Sequence, residues 1–314
     1  MRWQIGHLLT TKVKPIFDRH NLKVLSELMP DLSSLIPILL WKGGLRRPFK
    51  VSVMGRDFEV LSEEDFFILN HLMRLFSSGF EFQTFQITSE VKFKYNAREL
   101  KIHYGSLPYL DVLSLLDKFA GIDSKYNVLD VSGRDVVDIG ANIGDTAIFY
   151  SLRGARNVIA LEPNRFFYNL ALENIRINNL TNINTLNEAG GKPATMLIRS
   201  MESNRMGLPL MKVVNGTEVK VKSIDALAEE FNFDDAVLKV VCVGCEQEFF
   251  KFSSDRNIKR FNQILVVNIN ENGYLRNRLK SIGYRVRIIS RDYVINPHLA
   301  QPRLTVSSVL AIRK

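Results

Sequence analysis

The stretch Val136-Val137-Asp138-Ile139-Gly140-Ala141-Asn142-Ile143-Gly144-Asp145-Thr146-Ala147 passes from a short β-branched run through a glycine-punctuated turn into a helix-forming segment. Around it the same alternation repeats. Val158 to Glu162 reads as a strand, Arg165 to Asn178 as a helix, and Ile183 to Leu186 as a third strand. Met196 to Val221 has the character of short strands or a hairpin. Ile224 to Phe231 is helical, Ala236 to Cys242 a strand, Glu246 to Phe252 helical, Gln263 to Val267 a strand and Tyr274 to Ile282 helical. Arg285 to Ile289 and Leu304 to Ile312 are the last two strands; a loop alone joins them, so they should run antiparallel. Parallel neighbours need helical crossovers, and strand–helix units at this spacing specify an α/β, doubly wound, mostly parallel sheet with an antiparallel finish.

In such a sheet a ligand lies beyond the carboxyl ends of the strands, at the switch point beside the first strand. Gly140 and Gly144 allow close approach of the main chain, and Asn142 tolerates the left-handed conformation such loops need. Glu162 closes the second strand, 24 residues after Asp138, where a carboxylate can accept hydrogen bonds from both hydroxyls of a ribose. A dinucleotide fingerprint needs G-x-G-x-x-G, whose second glycine makes room for a pyrophosphate. Asn142 stands at that position and Gly144 is out of step. The pattern therefore favours a nucleoside with a charged tail, of which S-adenosylmethionine (SAM) is an example, over a dinucleotide or a bare strand–turn–helix.

The 314 residues are 46% hydrophobic and carry 42 basic and 33 acidic side chains, a net +9. This excludes a largely disordered or fibrous chain and accommodates two domains. The expected division is an N-terminal α+β region, residues 1–125, followed by the alternating domain, residues 126–314. In the first, helical stretches (Asn70 to Phe76, Leu110 to Phe119) alternate with strand-like runs (Phe49 to Met54, Phe82 to Ile87, Val91 to Tyr95), and Gly43 to Pro48 is a turn signal. No apolar run is long enough to cross a bilayer and no signal-peptide layout is present, so a cytoplasmic protein is expected. From Tyr274 to Lys314 there are nine basic residues against one acid, Asp292, which suits contact with an anionic surface such as a membrane or with a phosphate-bearing partner.

The Val136–Ala147 run, followed by Val158-Ile159-Ala160-Leu161-Glu162-Pro163-Asn164 and Asn174-Ile175-Arg176-Ile177-Asn178-Asn179-Leu180, resembles the FkbM family of class I SAM-dependent methyltransferases. The likeness continues through Val219 to Leu227 and Leu238 to Glu246 toward the chain's end. It implies a seven-stranded methyltransferase sheet. It also implies SAM contacts from Asp138, Gly140, Asn142, Gly144 and Glu162, with the adenine side near Asn187 and Glu188. Methylation of an oxygen on a sugar, a glycolipid or small metabolite, or a lipid-linked glycan is the function it implies.

One motif departs from the family's Lys-x-Asp-x-Glu-Gly-x-Glu: the chain reads Lys239-Val240-Val241-Cys242-Val243-Gly244-Cys245-Glu246. Val241 and Val243 replace two carboxylates, and Asn268-Ile269-Asn270 stands where the family often has an acid and a histidine. Glu246 is the surviving candidate base, and Lys239 either touches substrate or pairs with an acid. Two further readings follow: a weakened relative that binds SAM or a partner, and, from the basic stretch, an RNA methyltransferase, for which no aromatic-and-basic signature is present. Cys242 and Cys245 lack the further ligands zinc needs and read as small buried residues of a strand-to-helix turn, so no metal is expected. Asp145, Thr146 and Asp225 read as helix caps.

Overall fold

The computed structural model describes residues 37, 38, 40, 41, 47–53, 56–85, 88–122, 124–198, 216–242, 244–269, 273–294 and 304–313. In chain order the elements are β1 (Phe49–Val53), β2 (Arg56–Val60), α1 (Glu63–Ser77), β3 (Phe82–Phe85), β4 (Glu90–Tyr95), β5 (Arg98–His103), α2 (Tyr109–Leu116) and α3 (Ser124–Asn127). There follow β6 (Val136–Ile139), α4 (Asp145–Leu152), β7 (Val158–Leu161), α5 (Arg165–Ile177), β8 (Ile183–Leu186), β9 (Ala189–Gly190), β10 (Ala194–Ile198), β11 (Thr217–Lys222) and α6 (Ile224–Phe231). The chain continues through β12 (Ala236–Val240), α7 (Glu246–Lys251), α8 (Asp255–Ile258), β13 (Phe261–Ile269), α9 (Tyr274–Ser281), β14 (Tyr284–Val294) and β15 (Leu304–Arg313).

Two compact units result. The smaller comprises residues up to 81 together with 108–123. In it β1 and β2 pair antiparallel, and Val51, Val60, Phe66, Leu69 and Met73 form a core in which Trp41 stacks on Phe66. Ser62 and Asp65 close a reciprocal capping box at the start of α1, which fixes where that helix begins.

The larger unit comprises residues 82–107 and 124–314. Its seven-stranded sheet has the order β14-β15-β13-β12-β6-β7-β8, with β6, β7, β8, β12 and β13 parallel and β15 antiparallel to both of its neighbours. This is the expected doubly wound methyltransferase sheet. Every residue of β6, β7 and β12 is buried, as in a sheet covered on both faces. The core on one face joins Ile139, Leu161, Leu238 and Val240 to Phe249 and Phe250 of α7 and Leu275 and Leu279 of α9. From β6 the chain builds toward β7 and β8, then crosses to β12 and β13, so the switch point lies beyond the ends of β6 and β12. The expected hairpin between 196 and 221 is present as the antiparallel pair β10–β11.

The boundary expected at 125/126 needs correction, because residues 82–107 join the larger unit. These residues form the three-stranded sheet β3-β4-β5, and β5 is tied to α5 through two asparagines. Asn174 accepts from the His103 N–H (2.7 Å) and donates to its carbonyl (3.0 Å); Asn178 does the same for Lys101 (3.0 and 2.6 Å). One turn apart, in α5 and at its C-cap, the two amides satisfy the edge of β5 as a neighbouring strand would. The His103 ring lies between Glu90 (2.8 Å) and Glu173 (3.0 Å).

Among the described residues no helix is long and apolar enough to cross a membrane. Of the turn signal at Gly43 to Pro48, residues 43–46 lie outside the described residues.

Candidate functional site

At the end of β6 the chain makes a tight bend in which Gly140 (φ +78°), Asn142 (φ +51°) and Gly144 (φ +84°) are all left-handed. The bend is held against the end of β7: the N–H groups of Gly140 and Ala141 both donate to the Leu161 carbonyl (2.9 and 3.0 Å). The next N–H, that of Asn142, donates to Glu162 Oε2 at 2.9 Å, while Glu162 Oε1 accepts from the Asn164 N–H at 2.9 Å. Glu162 therefore points at the glycine turn, as the sequence reading requires. Its side chain is buried, and this desolvation raises its pKa from 4.5 to about 7 against the opposing pull of the Asn164 and Asn142 N–H groups and Lys239. Asn142 Oδ1 is buried and has no hydrogen-bond partner among the described residues.

The structure gives both glycines a different reason from the expected one. A Cβ on Gly140 would lie 2.0 Å from the Val241 carbonyl oxygen, and one on Gly144 would lie 3.2 Å from Ala171 of α5. Their missing side chains admit protein: the Val241 main chain beside β6, and α5 beneath the turn. Gly144 is also the N-cap of α4, with no side-chain cap bond.

Asp138, expected to touch the ligand, is turned into the protein. It is fully buried, with Oδ1 2.7 Å from Lys239 Nζ and Oδ2 accepting from Thr146 Oγ1. Lys239, 2% exposed, also donates to the Gly140 carbonyl at 2.8 Å. The pair thus clamps the turn from below, and Thr146 completes the clamp in place of the expected cap. Glu246 is likewise buried and turned back on its own loop, with Oε2 accepting from the Gly244 N–H at 2.8 Å. Both expected catalytic side chains are thus engaged in bonds within the protein.

Asn187 donates to the carbonyls of Glu162 and Pro163 (2.9 Å each), which secures the turn after β7. Glu188 pairs with Lys222 at 2.8 Å, and Lys222 also meets Glu230. Asp225 is no cap either: Ser223 caps α6, and Asp225 accepts from the Ser254 N–H at 2.9 Å and from Asn257, at the start of α8. Cys242 and Cys245, expected as small buried residues of a strand-to-helix turn, are disulfide-bonded and only partly buried. Among the described residues no cluster of His, Cys, Asp and Glu could hold a metal ion. Val243 and Asn270 lie outside the described residues. In the basic stretch, Arg285 and Arg287 are exposed on the edge strand β14, whereas Arg278 pairs with Asp255 and Arg313 with Asp235.

Asn174 is a site residue to which the sequence reading assigns no role. It is fully buried, and besides holding β5 it donates to the Ile143 carbonyl at 2.9 Å, inside the glycine turn. Its signal is present in the Asn174–Leu180 run, but nothing local in the sequence names residues 103 and 143 as its partners.

Sheet, switch point and carboxylate-backed turn together define a Rossmann-like methyltransferase domain. Residues 138–286 match the family described as "Methyltransferase FkbM domain". No curated protein matches the chain. Among solved structures, Trm5b from Pyrococcus abyssi is similar at 13% identity, over 72% of this chain and 56% of that one, with a TM-score of 0.42. This chain thus spans little more than half of that protein's length. TYW2 from M. jannaschii in complex with AdoMet is similar at 14% identity, over 72% and 88% of the two chains, with a TM-score of 0.38. TrmK from M. capricolum in complex with S-adenosyl-homocysteine is similar at 13% identity, over 61% and 67%, also with a TM-score of 0.38.

Proposed function

We propose that the chain is a SAM-dependent methyltransferase whose acceptor is an oxygen of a sugar, a glycolipid or a small metabolite. The observation that carries this is the Glu162–Asn142 contact beside the unpartnered Asn142 Oδ1. A carboxylate has about four acceptor positions, of which two are taken here by N–H groups. Those left suit the two hydroxyls of a ribose, and the Asn142 oxygen suits one further donor. The residues present therefore fit the group. When bound, SAM supplies a methyl group made electrophilic by its sulfonium.

The chain's own contribution is positional. Asp138, Lys239 and Thr146 fix the turn from below, Asn174 fixes it from α5, and Glu162 grips the ligand's sugar. Methyl displacement is in-line, and much of its catalysis can come from holding the reacting atoms in place. A general base adds about 10²- to 10⁴-fold. Glu246, buried and held through Oε2 by the Gly244 N–H, is the candidate for one.

That same bond, with Lys239 committed to Asp138 and Val241 at a motif carboxylate position, favours a second reading: a SAM-binding relative with weakened catalysis. Calorimetric titration with SAM and S-adenosylhomocysteine, followed by transfer of labelled methyl to sugar, glycolipid and metabolite acceptors, separates the two. Binding with transfer supports the first reading, and binding without transfer to any acceptor supports the second. Absence of binding to folded protein overturns both.

A further inference from the structure

We infer that Cys242 and Cys245 are a reversible dithiol–disulfide pair that controls how firmly the glycine turn is held. The disulfide joins residues three apart, with Cα atoms 5.6 Å from each other, in the connection between β12 and α7. It begins one residue after Val241, the residue that meets the turn most closely. The Val241 N–H donates to the Ile139 carbonyl at 3.0 Å, and its own carbonyl occupies the space that a Gly140 side chain would take. It ends one residue before Glu246, which reaches back to the Gly244 N–H. Oxidised, the connection is therefore closed by a covalent bond between two anchored ends. Reduced, that covalent closure is lost, and the Gly244–Glu246 bond holds only the α7 end of the connection.

Two features distinguish this bond from a simple brace. Disulfide stabilisation through loop closure falls with loop size, and a ring with two residues between its cysteines is near the minimum. Both cysteines are also only partly buried, so a reductant can reach them. The exchange balances without a further reactant. A dithiol such as dithiothreitol attacks one sulfur, then displaces the mixed disulfide with its second thiol. The Sγ–Sγ bond breaks, the reagent becomes a cyclic disulfide, and two electrons and two protons come to rest on Cys242 and Cys245. Glutathione disulfide reverses the change and leaves as two thiols.

The consequence for ligand binding rests on the SAM reading above; the consequence for the turn does not. The full chain is taken through dithiothreitol and glutathione buffers, with thiols counted by alkylation and mass spectrometry and amide exchange followed in parallel. On reduction, the amides of Gly140, Ala141 and Val241 should exchange about tenfold faster, while those of β4 and β5 stay unchanged, and re-oxidation should restore them. The double variant Cys242→Ser/Cys245→Ser should behave as the reduced protein in every buffer. Thiols that are not released under native conditions, a turn indifferent to reduction, or loosening of the whole domain together would each overturn the inference. SAM titration of both forms is read separately. With the switch intact, the oxidised form should bind several-fold more tightly, and equal affinities would overturn the link to binding. Absence of SAM binding in both forms overturns the cofactor reading and leaves the exchange result standing.

Discussion

The Asn142 N–H donates to Glu162 Oε2 at 2.9 Å, so the carboxylate at the end of β7 and the turn at the end of β6 are already joined within the protein. Glu162→Gln keeps one acceptor oxygen but turns an NH₂ toward either the Asn142 or the Asn164 N–H. SAM affinity should fall at least about tenfold, the cost of one good charge-assisted bond. Calorimetry on the two proteins checks this, and equal affinities would refute the role of Glu162.

The same residue sets a pH dependence. Its pKa rises on folding from 4.5 to about 7, so the native state binds the extra proton. Its contribution to stability is complete below pH 4.5 and is lost as pH rises through about 7. The full effect is on the order of 3 kcal/mol. Unfolding free energies of the wild type and Glu162→Gln, measured from pH 5 to 8.5, should diverge as the wild type loses stability with rising pH. Parallel curves would exclude it. Hydroxyl donors favour the ionised form, so SAM binding should strengthen over the same range.

At Gly140 an added Cβ meets a main-chain oxygen at 2.0 Å, whereas at Gly154 (φ +87°) the nearest atom is the Ser132 hydroxyl at 3.5 Å. Gly154→Ala should cost about 1 kcal/mol, the price of the left-handed backbone alone. Gly140→Ala should cost at least about 3 kcal/mol, because main chain must shift as well. Urea denaturation compares them, and similar losses would contradict the packing role.

Lys239→Met leaves Asp138 charged and fully buried without its cation, and stability should drop by about 3–5 kcal/mol. The double variant Asp138→Asn/Lys239→Met should recover part of that loss. A single variant as stable as the wild type would show that the clamp does not matter.

Replacing Asn174 by Ala removes three bonds at once, two to His103 and one to Ile143. The buried groups left behind should cost about 3 kcal/mol in total. Amides of β5 and of the glycine turn should lose protection together. Loss at β5 alone would separate the two.

The sheet was legible because each strand and helix carries its own periodicity, and the order of strand–helix units constrains how they can pair. Aiming Glu162 at the turn was legible for the same reason, since strand ends in a parallel sheet share one edge. What escaped depends on residues far apart in the chain. That Gly140 answers to Val241, and Asp138 to Lys239, becomes visible only once β6 and β12 are neighbours. The caps failed more locally: Asp225 stands near a helix start, yet Ser223 was better placed, which left Asp225 to bond the start of α8.

The asparagine pair on α5 bears on where this protein can be cut. A chain shortened to begin at residue 126 would retain every strand of the large sheet and the whole matched segment, yet it would strip β5 away. Asn174 and Asn178 would then face solvent or one another, with the glycine turn resting on a helix whose inner amides had lost their partners. Any minimal version of the domain would have to carry the stretch from 82 onward.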